Sequence, residues 1–232
     1  MAKIKSCRTV SKNGLIYQLD EKGRIVRQKP WLGDLFSFVY DRAMAKNVFP
    51  KKFAASMEKH YEILRSLFKG VTGREILELA AGNGDAVRFL EKENRYSGVD
   101  ISAGLLRQAK RKFEAFGFRD CALYVADAAC TPLADHCFDI AICNLSMNFF
   151  ADIEAFIREV RRLLKANGVF YASVPVPERK TTKSVIHGTL FSEEELKDKF
   201  THNHFKFETL PYDNGALLYF TACLTEQGML VD

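Results

Sequence analysis

Long apolar runs are missing from this 232-residue chain. No stretch reaches the roughly 18 apolar residues that a membrane span requires. The opening residues, Met1 to Cys7, lack the apolar core of a secretory leader, so a cytoplasmic location is the expectation. No Gly-Lys-Ser/Thr follows a glycine turn, which excludes a P-loop. The six cysteines, Cys7, Cys121, Cys130, Cys137, Cys143 and Cys223, form no Cys-x-x-Cys pair. That removes the zinc-knuckle and dithiol-redox readings, and no metal site is expected. Cys143 and Cys223 sit in apolar runs and read as buried, reduced thiols. Internal repeats and low-complexity segments are also missing.

What is present is a chain of ordinary globular composition, 47% hydrophobic, with a core large enough for one sizeable α/β domain or a domain with an appendage. Charge is unevenly placed. Residues 1–70 carry 15 Lys/Arg against 6 Asp/Glu, whereas residues 71–232 carry 19 against 23. The basic charges of the first third are scattered singly, as on a solvated surface. Steering of an anionic substrate, an RNA or a membrane surface stands as the alternative.

The most informative stretch is Ile76-Leu-Glu-Leu-Ala-Ala-Gly-Asn-Gly-Asp85. An apolar run ends at an acid, then breaks into small residues and two glycines. A buried parallel strand delivers a tight turn in this way, where a ligand must touch backbone. A second strand-like run, Tyr96 to Val99, ends in Asp100, 22 positions after Glu78. A bare turn followed by a carboxylate one βα unit later suits a nucleoside. The dinucleotide fingerprint would require a small residue at position 87, which is Val. No basic residue between Glu78 and Asp85 is available to neutralise a pyrophosphate. A cationic ligand, such as a sulfonium with an amino-acid tail, fits these acids better.

On these residues the chain resembles class I S-adenosylmethionine-dependent methyltransferases. That family's first motif, acidic-x-Gly-x-Gly-x-Gly, corresponds to Glu78, Ala80, Gly82 and Gly84, with Ala in place of the first Gly. Asp100 in Gly-Val-Asp-Ile-Ser matches the acid ending strand two. Asp127 in Val-Ala-Asp-Ala-Ala matches the acid after strand three. Phe138 to Asn144 and Val169 to Val174 match strands four and five. The resemblance spans roughly residues 70–225. It implies a doubly wound, seven-stranded, mostly parallel α/β sheet with a Rossmann-like methyltransferase fold. It also implies S-adenosylmethionine as cofactor and S-adenosylhomocysteine as product. In its terms Glu78 supports the methionine end, and Ala80, Gly82 and Gly84 form the turn. Asp100, followed by Ile101, takes the ribose. Asp127 and Ala128 take the adenine, and the backbone of Asn144 and Leu145 lines the amino-acid end. The site Asn144-Leu-Ser-Met147 lacks the Asn/Asp-Pro-Pro-Tyr/Phe of enzymes that methylate nucleobase or amide nitrogens.

The expected organisation is an N-terminal hairpin and helical cap over residues 1–70, then a cofactor-binding domain over 71–232. The hairpin is expected to pair 14–19 with 24–28 across the turn 20–23. Helices are expected from Leu35 to Lys46 and from Lys52 to Phe68, then over 85–92 and 102–116. Further helices are expected from the Asp152 cap to a stop at Asn167-Gly168 and from Ser192 to Phe200, with a closing antiparallel pair at 206–210 and 216–224.

Methyl transfer asks for an acceptor held in line in a dry pocket, with a general base only if the acceptor is protonated. His187, in the loop after strand five, is the candidate base. Tyr40 and His60, on the predicted N-terminal helices, are further candidates for that role. Tyr40 sits in Phe-Val-Tyr-Asp, similar to the Tyr-Asp that precedes the first motif in enzymes resembling the ubiquinone and menaquinone biosynthesis methyltransferases. The expected substrate is a small molecule, and the expected assembly is a monomer or homodimer. An RNA or protein methyltransferase and a non-catalytic cofactor-binding module are the alternatives.

Overall fold

The computed structural model describes residues 8–27 and 44–225. Tyr40 and most of the helix expected at Leu35–Lys46 lie outside the described residues. The described chain builds one nine-stranded sheet. Its strands are β1 (Thr9–Lys12), β2 (Leu15–Gln18), β3 (Glu75–Leu79), β4 (Arg95–Asp100), β5 (Cys121–Val125), β6 (Phe138–Asn144), β7 (Leu164–Pro175), β8 (Phe205–Thr209) and β9 (Leu217–Leu224). Their spatial order is β1-β2-β5-β4-β3-β6-β7-β9-β8. The five strands β5, β4, β3, β6 and β7 are parallel, and β9 runs antiparallel between β7 and β8.

Seven of these strands form the expected doubly wound sheet, and the count rises to nine because the N-terminal hairpin joins it. β2 pairs in parallel with β5, so the hairpin extends the sheet at that edge. The hairpin itself differs from expectation. β2 pairs with β1 across Asn13-Gly14, whose φ values of 54° and 74° are those of a two-residue primed turn. Of the segment expected as its second strand, 24–28, the described residues 24–27 form the bridge Leu19↔Ile25 and the bond Val26 N to Gln18 O rather than a strand.

Helices cover the two faces: α1 (Met57–Phe68), α2 (Ala103–Ala115), α3 (Ile153–Leu163) and α4 (Glu193–His202). Each starts where a side chain satisfies free backbone N–H groups. The Ser56, Ser102 and Asp152 side chains accept from Lys59, Leu105 and Ala155, and Ser192 with Glu195 forms a reciprocal capping box. The helix expected at 85–92 is a single 3₁₀ turn, Asp85–Arg88. Asn94 accounts for its brevity: its amide donates to the Val71 and Glu91 carbonyls and accepts from Arg74 N, drawing the chain directly into β4.

The sheet separates two apolar layers. One holds Phe156, Ile157, Val160 and Leu163 of α3 with Phe170, Phe200 and Phe220. The other holds Leu106, Ala109 and Phe113 of α2 with Ile76, Tyr96 and Phe68. A third cluster joins Phe49, Phe53 and Ile63 to Ile186, Leu217 and Tyr219. It fastens a widened helical segment, Met44–Phe53, and α1 over the C-terminal ends of the strands. Backbone contacts complete the attachment, with Ala216 N donating to Phe53 O at 2.7 Å and Thr182 Oγ1 to Lys52 O at 2.8 Å. Among the described residues no helix is long and apolar enough to cross a membrane.

Candidate functional site

The C-terminal end of β3 runs into a turn whose backbone is left-handed at three positions: Ala80 (φ 58°), Gly82 (56°) and Gly84 (81°). Ala80 therefore adopts the glycine-favouring conformation in place of the family's Gly. The two glycines serve different ends. A Cβ on Gly84 would lie 2.6 Å from Ala109 Cα, so its absence lets the turn pack on α2. A Cβ on Gly82 would meet nothing within 4 Å, so that backbone faces an open cradle. Val87 is buried in the apolar layer rather than left small for a pyrophosphate.

Two buried carboxyl groups flank the turn. Asp100, at the end of β4, accepts from Gly82 N and Ser102 N, both at 2.8 Å, which ties the glycine turn to the neighbouring strand. Glu78, 5% exposed, accepts a 2.5 Å hydrogen bond from Tyr96 Oη. Burial pushes its pKa up to about 8, with Asp85 and Asp100 adding to the rise and the Tyr96 hydroxyl opposing it. A carboxyl group at this cost of ionisation would ionise more readily beside a cation. Asp85 accepts from Tyr61 Oη at 3.0 Å and pairs with Lys112 at 2.7 Å and with Arg88.

Glu78, Ala80, Gly82, Asn144 and Leu145 come together in one pocket of about 660 Å³, its open mouth included. Its remaining walls are the other turn residues, Ser146, Phe49 and the α1 residues Met57, His60, Tyr61 and Leu64. Leu145 takes a positive φ of 57°, and its N–H is held by Ser173 O at 2.8 Å. The Asn144 side chain turns to Ser173 Oγ on β7. Asp100, Ile101, Asp127 and Ala128 stand outside this lining, at the ends of β4 and β5. Ala128 is buried, while Asp127 is exposed and accepts from Ala129 N at 2.9 Å. His187 is exposed, and its carbonyl accepts from Asn148 Nδ2 at 2.6 Å. It does not line the pocket.

Among the described candidates for a general base, His60 is the one in the pocket wall. His60 is 2% exposed, with Nδ1 2.9 Å from Tyr219 Oη, and burial lowers its pKa to about 4. Its partner lies 159 residues away, and no motif announces that pairing.

The donor set fits a cationic nucleoside. An open glycine backbone, two buried acids and a third acid one strand further on leave room and acceptors for ribose, base and ammonium. Residues 77–172 match the family described as methyltransferase domain. This stretch is a methyltransferase domain. Among curated proteins, the arsenite methyltransferase of Aquipseudomonas alcaligenes is 31% identical over 119 residues, 47% of this chain and 34% of that protein. The demethylmenaquinone methyltransferase of Corynebacterium kroppenstedtii is 29% identical over 122 residues, 52% of this chain and 48% of that protein. The chain thus spans between a third and a half of these two relatives. Among solved structures, a putative methyltransferase bound to the Trm112 activator of Haloferax volcanii covers 86% of this chain and 100% of its own, at TM-score 0.66 and 18% identity. A possible histamine N-methyltransferase of Thermotoga maritima covers 82% and 97%, at TM-score 0.59 and 19% identity. At these identities the structures establish the shared fold of the methyltransferase domain.

Proposed function

We propose that this chain transfers a methyl group from S-adenosylmethionine to a small-molecule acceptor. The observation that carries the proposal is the Gly82 turn held between the buried acids Glu78 and Asp100 and opening into a roofed pocket. When bound, S-adenosylmethionine supplies a methyl group already activated on a sulfonium. Asp100 would offer its remaining lone pairs to the ribose hydroxyls, and Asp127 would accept from the adenine amino group beside Ala128. Glu78 would face the ammonium, and the backbone of Gly82, Asn144 and Leu145 would border the amino-acid tail. The roof of Phe49, Met57 and Leu64 sets an apolar, water-poor site for the acceptor. The small-molecule relatives support this reading over a polymer substrate.

Hydrogen bonds to a charged group contribute about 1.5–3 kcal/mol each. Asp100→Ala is therefore expected to weaken S-adenosylmethionine binding by about tenfold or more. Calorimetric titration reads this directly, and an unchanged affinity would remove Asp100 from the site.

A further inference from the structure

His60 is the one imidazole in the pocket wall, and the protein dictates which of its nitrogens carries the proton. The determination starts at the cap of α1. Asn214 Oδ1 accepts from Ser56 N at 2.9 Å, and Asn214 Nδ2 donates to Ser56 O at 3.0 Å, so the amide cannot be flipped without losing both bonds. The same Nδ2 donates to Tyr219 Oη at 3.1 Å. The phenol oxygen is thus already an acceptor, and its single proton has His60 Nδ1, 2.9 Å away, as its acceptor among the described residues. A neutral imidazole that accepts at Nδ1 carries its hydrogen on Nε2. Among the described residues no group hydrogen-bonds Nε2, and that atom is not sealed off, since the only fully buried side-chain polar atom without a partner is Asn148 Oδ1. His60 lines the pocket, and with Nδ1 engaged by Tyr219, Nε2 is the ring nitrogen left for a ligand there.

We infer that His60 presents a fixed Nε2–H donor to an oxygen of the methyl acceptor, a carbonyl or oxyanion carried on an apolar skeleton. The inference rests on the proposed methyl transfer for the word acceptor, but the relay Ser56–Asn214–Tyr219–His60 is independent of it. Phe49, Met57, Leu64 and Phe89 supply apolar walls. The charged group that His60 senses is Asp85, which raises its pKa against the larger effect of burial. Tyr61 and Tyr219 are the other titratable groups against its ring. The imidazole stays neutral, so it donates a hydrogen bond without acting as a cation and without taking the acceptor's proton at Nε2. His60 is then a positioning and charge-stabilising residue.

Two readouts test this on the full chain. Nitrogen-15 spectra of the imidazole should show the neutral Nε2–H tautomer from about pH 5 to pH 8. Tyr219→Phe, which removes the proton offered to Nδ1, should shift the spectra toward a mixture of tautomers. The second readout is the binding of 4-nitrophenol and of nitrobenzene, with and without S-adenosylhomocysteine. The phenol should bind about tenfold more tightly, with its absorbance moved toward the phenolate. His60→Leu should erase that preference, and His60→Gln, whose amide also offers a donor, should restore much of it. An Nδ1–H tautomer or an imidazolium at neutral pH overturns the inference. So does equal binding of the two probes, or no binding of 4-nitrophenol. Titration of S-adenosylhomocysteine alone separates the two ideas, because its failure would sink the methyltransferase reading while leaving the tautomer result to stand.

Discussion

At the scale of single residues, the pocket is governed by the cost of charge. Glu78 has an unfolded pKa near 4.5 and a folded one of about 8. Between these values the folded state keeps a proton that the unfolded state has lost. The resulting stability is present below pH 4.5 and is lost as pH rises through 8. Glu78→Gln should therefore make thermal stability less pH-dependent over that range, raising the melting temperature at pH 8 relative to wild type more than at pH 5. The same substitution should weaken S-adenosylmethionine binding, because a neutral amide cannot pair with an ammonium. Scanning calorimetry at the two pH values checks the first effect. A parallel pH dependence in wild type and variant would show that Glu78 ionises in the folded protein as it does in water.

At the scale of elements, the glycine turn separates packing from binding. Gly82→Ala adds a methyl group into open space at φ 56°. It should reduce stability by only about 1 kcal/mol while sharply reducing cofactor affinity. Gly84→Ala drives a methyl group against the α2 backbone at φ 81° and should destabilise by about 2–4 kcal/mol. Denaturant unfolding beside titration resolves the two, and equal stability losses would refute the division of roles. A second device holds the chain between β5 and β6. Glu159 accepts from Thr131 N and Oγ1 and pairs with Arg162 at 2.6 Å, while Arg162 also bonds Leu133 O and Asp135. Glu159→Gln leaves a half-buried guanidinium short of a partner. It should reduce stability by about 2–3 kcal/mol with no change in cofactor affinity. A full stability with altered affinity would contradict this placement.

Much of the element pattern was legible because it rests on local physics. The stripe Ile153, Phe156, Ile157, Val160 and Leu163, the caps Ser102 and Asp152, and the capping box at Ser192 and Glu195 lie where they were expected, although the helix expected to run to Asn167-Gly168 ends at Leu163 and Leu164 opens β7. The helix expected over 85–92 failed because Asn94 makes contacts with residues 20 and 23 positions away that outweigh local propensity. β1 was missed because Thr9 to Lys12 is mostly exposed and polar, although the Asn13-Gly14 turn signal was there.

At the scale of the whole molecule, the first-motif turn of the sheet and the roof meet at one pocket. The first motif turn and the acids after β4 and β5 could be read because each follows its own strand. The roof could not be read in the same way. Tyr219 meets His60 and Asn214 meets Ser56 only when β9 inserts between β7 and β8, across 159 and 158 residues. His187 stands at an exposed loop because its segment is fixed through backbone, by Asn148 at the His187 carbonyl and by Thr189 N on Asn148 O.

The central claim is that this pocket holds S-adenosylmethionine through a carboxyl group that ionises on binding. The direct measurement is calorimetric titration near neutral pH in two buffers of different ionisation enthalpy. The account predicts binding of S-adenosylmethionine and S-adenosylhomocysteine with release of a large fraction of one proton per site, abolished in Glu78→Gln. Binding without proton release would contradict the role given to Glu78, and no binding of either ligand would contradict the claim itself.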